Sequence, residues 1–204
     1  MRIGIFGGSF DPIHLGHLIL AEQCRQAARL DQVWLIPCAQ QPLKQQPPIA
    51  SNRQRCEMIE LAIAGCQAFY LSKLEIERGE ISYTVDTLKQ IRLDQPDDEL
   101  FFLIGADSLA QFANWKSPAE ICELATPIIF NRPGESPIDL KSLSEMVPEK
   151  RMSEIADHQI TSRLIDISST EIRNRIAAKE SIRFLLPRAV EKYIETQNLY
   201  STTG

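Results

Sequence analysis

Two histidines three residues apart close a run rich in glycine, serine and aspartate: Gly7-Gly8-Ser9-Phe10-Asp11-Pro12-Ile13-His14-Leu15-Gly16-His17. Dinucleotide binding through G-x-G-x-x-G fails on spacing, because Gly4, Gly7 and Gly8 do not fit it. A Walker A loop fails because no Gly-Lys-Ser/Thr follows. A zinc centre could use His14 and His17 on one helical face, but a third ligand is needed, and His158 is the only other histidine. Phosphate binding fits the residue types. Gly7 and Gly8 let the backbone approach an anion closely. The amides of Ser9 and Phe10 can point at phosphate oxygens, and a helix starting after them adds its positive end. His14 and His17 can then donate to non-bridging oxygens as charge builds at phosphorus, and Gly16 leaves space for a nucleotide against the backbone. The bland alternative is a pair of histidines satisfied at a helix start.

A second segment carries similar chemistry: Ile167-Ser168-Ser169-Thr170-Glu171-Ile172-Arg173. Ser169 or Thr170 is a candidate helix N-cap, and a simply capped helix explains the residues without any ligand. The functional reading puts the amides and hydroxyls of Ser168, Ser169 and Thr170 on a polyphosphate, with Arg173 pairing with its charge one turn later. Lys44 is a third candidate. It lies in residues 37–48, which hold four prolines and four glutamines and read as an extended loop.

These loops need a frame, and the hydropathy pattern supplies one. Short Ile/Val/Leu-rich runs at 3–6, 33–36, 69–71, 99–104, 128–130 and 164–167 read as strands. Helical periods occupy 15–30, 52–64, 85–93, 118–124, 170–178 and 187–196, while 132–152 reads as a polar excursion. Such alternation implies an α/β fold with a doubly wound parallel sheet, closed by C-terminal helices at about 169–200. Ligands then bind beyond the carboxyl ends of the strands, so the loops after residues 6, 36, 104 and 167 should carry function. The 204 residues fit one domain, 1–204.

Composition excludes several classes. A net charge of -5 with dispersed signs argues against a nucleic-acid coat. No apolar run approaches a membrane span, and the N-terminal apolar stretch is too short for a secretory signal. Five cysteines without a C-x-x-C pair argue against a disulfide framework or zinc ribbon and for a reducing, cytoplasmic setting.

His14-Leu15-Gly16-His17 resembles the H-x-G-H signature of the nucleotidylyltransferase superfamily, and residues 8–14 match the fuller G-x-F-x-P-x-H pattern of its transferase branch. Residues 167–173 resemble the I-S-S-T-x-x-R motif of the same enzymes. Three more stretches resemble nicotinate mononucleotide adenylyltransferases in particular. These are Ser82-Tyr83-Thr84-Val85-Asp86-Thr87-Leu88 after Glu75-Ile76-Glu77-Arg78-Gly79, then Ile104-Gly105-Ala106-Asp107 with Trp115, and Leu186-Pro187 with Val190, Tyr193 and Ile194. The similarity runs from Met1 to about Tyr200. One departure stands out: the family's P-x-H-K keeps its lysine as Lys44 but has Leu43 where the histidine belongs. Lys150-Arg151-Met152-Ser153-Glu154 is only a faint likeness of the K-M-S-K-S loop of tRNA synthetases, because the second lysine is missing.

The resemblance implies a Rossmann-like fold and adenylyl transfer from ATP, with magnesium on the triphosphate, to nicotinate mononucleotide. His17, His14 and Arg173 would be catalytic. Gly8, Ser9, Phe10, Lys44 and Ser168 to Thr170 would hold phosphates, with Gly105 and Asp107 at the adenosine ribose. Tyr83, Thr84 and Trp115 would take the nicotinate ring, helped by free amides at 82–84; Trp115 as a core anchor and Asp107 as a helix cap are the plain alternatives. A homo-oligomer is left open. Pantetheine-phosphate adenylyltransferase and a nucleotide-binding regulatory module without turnover are the rival readings.

Overall fold

The computed structural model describes residues 1–42, 46–131, 140–144, 146–161 and 165–201. Among the described residues, six strands form one parallel sheet: β1 (Arg2–Gly8), β2 (Gln32–Pro37), β3 (Phe69–Leu71), β4 (Glu99–Gly105), β5 (Thr126–Asn131) and β6 (Gln159–Thr161). Their order is β3-β2-β1-β4-β5-β6. The chain therefore steps outward from β1 in one direction, returns, and steps outward from β4 in the other. The reversal opens a crevice between the carboxyl ends of β1 and β4, where doubly wound sheets bind ligands.

Side chains alternate along each strand, and both faces are apolar. Phe101 and Leu103 of β4 join the core on one face, while Leu100, Phe102 and Ile104 join the core on the other. The first core is covered by α1 (Leu15–Ala27), α2 (Asn52–Ile63), α9 (Ser169–Ala177) and α10 (Arg188–Thr196). The second is covered chiefly by α4 (Thr84–Asp94) and α6 (Pro118–Leu124), with α8 (Glu149–Ala156) beside β5. Shorter helices are α3 (Leu74–Arg78), α5 (Ala106–Leu109) and α7 (Lys141–Ser144). Double coverage is why the strands read as nearly continuous apolar runs. Among the described residues, no helix is long and apolar enough to cross a membrane. All five cysteines are free thiols, four of them buried.

Two expectations need correction. The last strand is Gln159–Thr161, paired with Ile129, Phe130 and Asn131, not 164–167. Residue 164 lies outside the described residues, and 165–168 run without strand pairing. Ile165 and Ile167 line the crevice instead, so their apolar character serves a cleft wall rather than the sheet. The expected polar excursion at 132–152 contains α7 and the start of α8, although 132–139 and 145 lie outside the described residues.

Candidate active site

β1 delivers the first loop to the crevice, and buried side chains fix its shape. Phe10 takes φ 47, a left-handed conformation unusual for a non-glycine residue. That turn sends its ring into the core, edge-on to Phe6 at 5.6 Å and to His17 at 5.0 Å between centroids. A Cβ on Gly8 would stand 3.1 Å from the Phe10 ring, so Gly8 makes room for that aromatic. Gly7, open around its Cα, lines the cleft. From below, the fully buried Arg55 of α2 donates to the Ser9 carbonyl at 2.7 Å, the Cys38 carbonyl at 2.6 Å and Asn52 Oδ1 at 2.6 Å. One guanidinium thus ties the loops after β1 and β2 to the same helix.

The histidines stack, with ring centroids 3.7 Å apart and planes inclined by 27°. His17 Nδ1 accepts the His14 backbone N–H at 3.3 Å. That bond assigns the ring proton to Nε2, leaving a neutral imidazole with one N–H to donate. Burial, and then the neighbouring His14, hold the His17 pKa well below the ordinary imidazole value. Gly16, expected to leave room for a nucleotide, lines the cleft and also faces the His14 ring: a Cβ there would lie 3.0 Å from Nδ1 and 3.5 Å from the Ile167 carbonyl. Gly16→Ala should therefore separate stability from activity. Alanine favours the helix by up to about 1 kcal/mol, while a few tenths of an ångström forced on the histidine pair should lower kcat about tenfold. Thermal unfolding and steady-state rates on the same preparation check both halves.

The second phosphate motif meets the first loop directly. The N-cap of α9 is Ser168, whose hydroxyl accepts the Glu171 amide at 3.1 Å; the expected caps, Ser169 and Thr170, are already helical. Ser169 donates its hydroxyl to the Pro12 carbonyl at 2.8 Å. Arg173 donates to the Asp11 carbonyl at 2.7 Å and to the Thr170 hydroxyl at 3.2 Å. All three hydroxyls thus take part in hydrogen bonds within the protein, while the first turn of α9 retains amides with no helical acceptor.

The crevice these elements enclose has a volume of about 1070 Å³. His14, His17, Ser9, Phe10 and Arg173 line it together with Ser168, Ser169 and Thr170. Gly105, Asp107 and Trp115 line it from the β4 side. Asp107 is an exposed residue of the first turn of α5 rather than its cap, and it accepts the Ser108 amide at 2.9 Å. A Cβ on Gly105 would come 2.5 Å from the Asp107 carboxylate, which is exposed and can swing aside, and 3.1 Å from the Phe130 ring, which must give by a few tenths of an ångström. Trp115 rests on Phe112 at 5.3 Å and is half-buried. Lys44 lies outside the described residues.

Gly8, Tyr83 and Thr84 do not line this cleft. Nor are all the amides at 82–84 free, as expected from sequence: Ser82 donates to the Gln40 carbonyl at 2.9 Å and Tyr83 to the Ile81 carbonyl at 3.1 Å. Tyr83 caps α4, so Thr84 and Val85 are the residues whose amides lack a helical acceptor. Behind them lies Glu75, a buried carboxyl that accepts the Thr87 hydroxyl at 2.6 Å and is pushed above the usual carboxylate range by burial. The sequence assigns no role to Glu75, which it shows only within a family-like stretch, nor to Arg55 or Asp11. Arg55 is a charge on the buried face of α2 with Met58 and Ile59, a signal that the sequence carries.

Comparison with known proteins agrees with this arrangement. The cytidylyltransferase-like family model matches residues 5–175. A "probable nicotinate-nucleotide adenylyltransferase" of Herpetosiphon aurantiacus is 43% identical over 199 residues, covering 98% of each chain. The chain belongs to the nicotinate-nucleotide adenylyltransferase family. A relative of the same description from Thermus thermophilus is 44% identical over 204 residues, covering 98% of this chain and 100% of its own. The fold of this adenylyltransferase family member is shared with a Plasmodium falciparum nicotinic acid mononucleotide adenylyltransferase solved with NaAD. The two superpose with a TM-score of 0.74 at 21% identity, covering 98% and 97% of the two chains.

Proposed function

We propose that this chain transfers the adenylyl group of ATP to nicotinate mononucleotide, releasing pyrophosphate and forming nicotinate adenine dinucleotide. The observation that carries the reading is the convergence of both phosphate motifs, 157 and more residues apart, on one cleft at the β1/β4 switch point. Full-length relatives described as nicotinate-nucleotide adenylyltransferases support the choice of acceptor.

The attacking group is a phosphate oxygen of the mononucleotide. With a second pKa near 6 it is largely ionised at neutral pH, so no general base is required. The α-phosphorus of ATP forms a new P–O bond while the bond to pyrophosphate breaks. The work left to the chain is alignment and charge stabilisation. His17 donates Nε2–H to an α-phosphate oxygen. His14, Arg173 and Lys44 hold the remaining phosphates with the loop amides and the first turn of α9. Gly105 and Asp107 meet the adenosine ribose, and Trp115 stacks on the pyridine ring.

Among the described residues, no group of three or more His, Cys, Asp or Glu could hold a metal ion. Magnesium suits this cleft as an ion carried on triphosphate oxygens and water. When bound it neutralises phosphate charge. The free thiols fit a reducing cytoplasm.

Pyrophosphate release should be assayed with ATP against a panel of phosphorylated acceptors that includes pantetheine phosphate. Nicotinate mononucleotide should be the preferred acceptor. Preference for another acceptor, or no turnover with any, would overturn the assignment.

A further inference from the structure

Asp11 belongs to the first loop and lines the cleft, yet it is only 4% exposed, and its Oδ2 stands 4.0 Å from Arg173 Nη1. Oδ2 accepts the Ile49 amide at 2.8 Å, and Oδ1 accepts the Ala50 amide at 3.0 Å. Oδ1 also accepts the Tyr200 hydroxyl at 2.7 Å. The backbone carbonyl of the same residue receives Arg173. Asp11 is therefore the meeting point of the first loop, the chain entering α2, the start of α9 and the C-terminal segment.

Ile49 and the residues before it, Gln46, Pro47 and Pro48, form part of the cleft wall. The two prolines have no N–H to donate. The Ile49 and Ala50 amides are thus the first after them that can tie the wall down, and both are tied to Asp11.

Tyr200 completes the arrangement from the far end of the chain. Its ring is buried and joins the core beneath α1 and α10. Its backbone sits at φ 61, a left-handed conformation that costs a tyrosine energy and persists only where surroundings enforce it. Burial and the Asp11 charge push the phenol's pKa upward, so the hydroxyl remains a donor. We propose that Tyr200 is a positioning residue for adenylyl transfer, acting by holding the Asp11 carboxylate on the Ile49 and Ala50 amides. It thereby sets where the 46–50 wall and Arg173 stand relative to the triphosphate.

This inference rests on the adenylyl-transfer reading, but its test begins with ATP alone. Tyr200→Phe keeps the buried ring and removes one hydroxyl. In the full chain, the Kd for ATP measured without acceptor should rise about fivefold. The KM for nicotinate mononucleotide and kcat should stay within about twofold. Amide exchange at Ile49 and Ala50 should quicken about tenfold, while α10 exchanges as before. Asp11→Asn should act in the same direction, and the double variant should weaken ATP binding no further than the stronger single one.

Unchanged ATP affinity would overturn the proposal, whatever the exchange data show. So would faster exchange throughout α10, which would make Tyr200 a packing residue only. If the wild type binds ATP but transfers nothing, the proposed reaction fails. The ATP affinities and exchange rates still decide whether Tyr200 sets the cleft.

Discussion

Replacing His17 by alanine is expected to leave the fold intact and to lower kcat by about 10²–10³, the usual cost of removing one transition-state hydrogen-bond donor. The geometry supports a donor role, since Nδ1 is occupied by the His14 amide and Nε2 is left with the proton. A variant within a few-fold of wild type would make the histidine structural. Stability should respond to pH with a definite sign. The native His17 pKa is depressed, so below about pH 6.5 the unfolded chain takes up a proton that the native chain refuses. Its contribution to stability is full above that pH and is lost as pH falls toward the native value. Wild type should therefore lose stability more steeply than His17→Ala between pH 7 and 5, measured by denaturant midpoints.

The second large effect is discrimination between acid and amide acceptors. Thr84 and Val85 open α4 with amides that have no helical acceptor, next to the positive end of the helix. Neither residue lines the cleft, so the acid preference requires the acceptor to extend beyond that lining, where a carboxylate on the pyridine ring satisfies such donors. A carboxamide can turn its NH₂ against them and leave buried N–H groups unpaired, a mismatch that discriminates by about 10⁴ in favourable sites. Reorientation of the amide lowers this limit. The kcat/KM for nicotinate mononucleotide should exceed that for nicotinamide mononucleotide by at least about a hundredfold, with both measured at one ATP and magnesium concentration. Comparable values would remove the acid-specific assignment.

Much of this architecture was legible because doubly covered strands leave unbroken apolar runs. Residues 33–36, 69–71 and 99–104 all fall inside observed strands. The same signal misled at 164–167, where isoleucines face a cleft instead of a helix layer. The start of α8 reads as part of the polar excursion because Met152, Ile155 and Ala156 are outnumbered by Glu149, Lys150, Arg151, Ser153 and Glu154. α3 and α5, at five and four residues, are too short to show a period. In the site, the histidines, Ser168 to Thr170 and Arg173 could be read from motif spacing. The roles of glycines were harder, since Gly8 answers to the Phe10 ring and Gly16 to the His14 ring. Those contacts exist only once the loop has turned. The Asp11–Tyr200 bond joins residues 189 apart and leaves no local signature.

That separation bears on how the protein comes into being on the ribosome. At roughly 5–20 residues per second, the first loop is synthesised roughly ten to forty seconds before Tyr200 exists. β1 and β2 can pair early, because their partners are close in sequence. The cleft, however, draws Arg173 and Tyr200 back across 162 and 189 residues. A nascent chain halted before them holds both histidines but lacks the arginine and the hydroxyl that complete the cleft. Nucleotide affinity should accordingly arrive only once Arg173 and Tyr200 have emerged and folded back onto the first loop, making that return the step at which the polypeptide acquires its ligand.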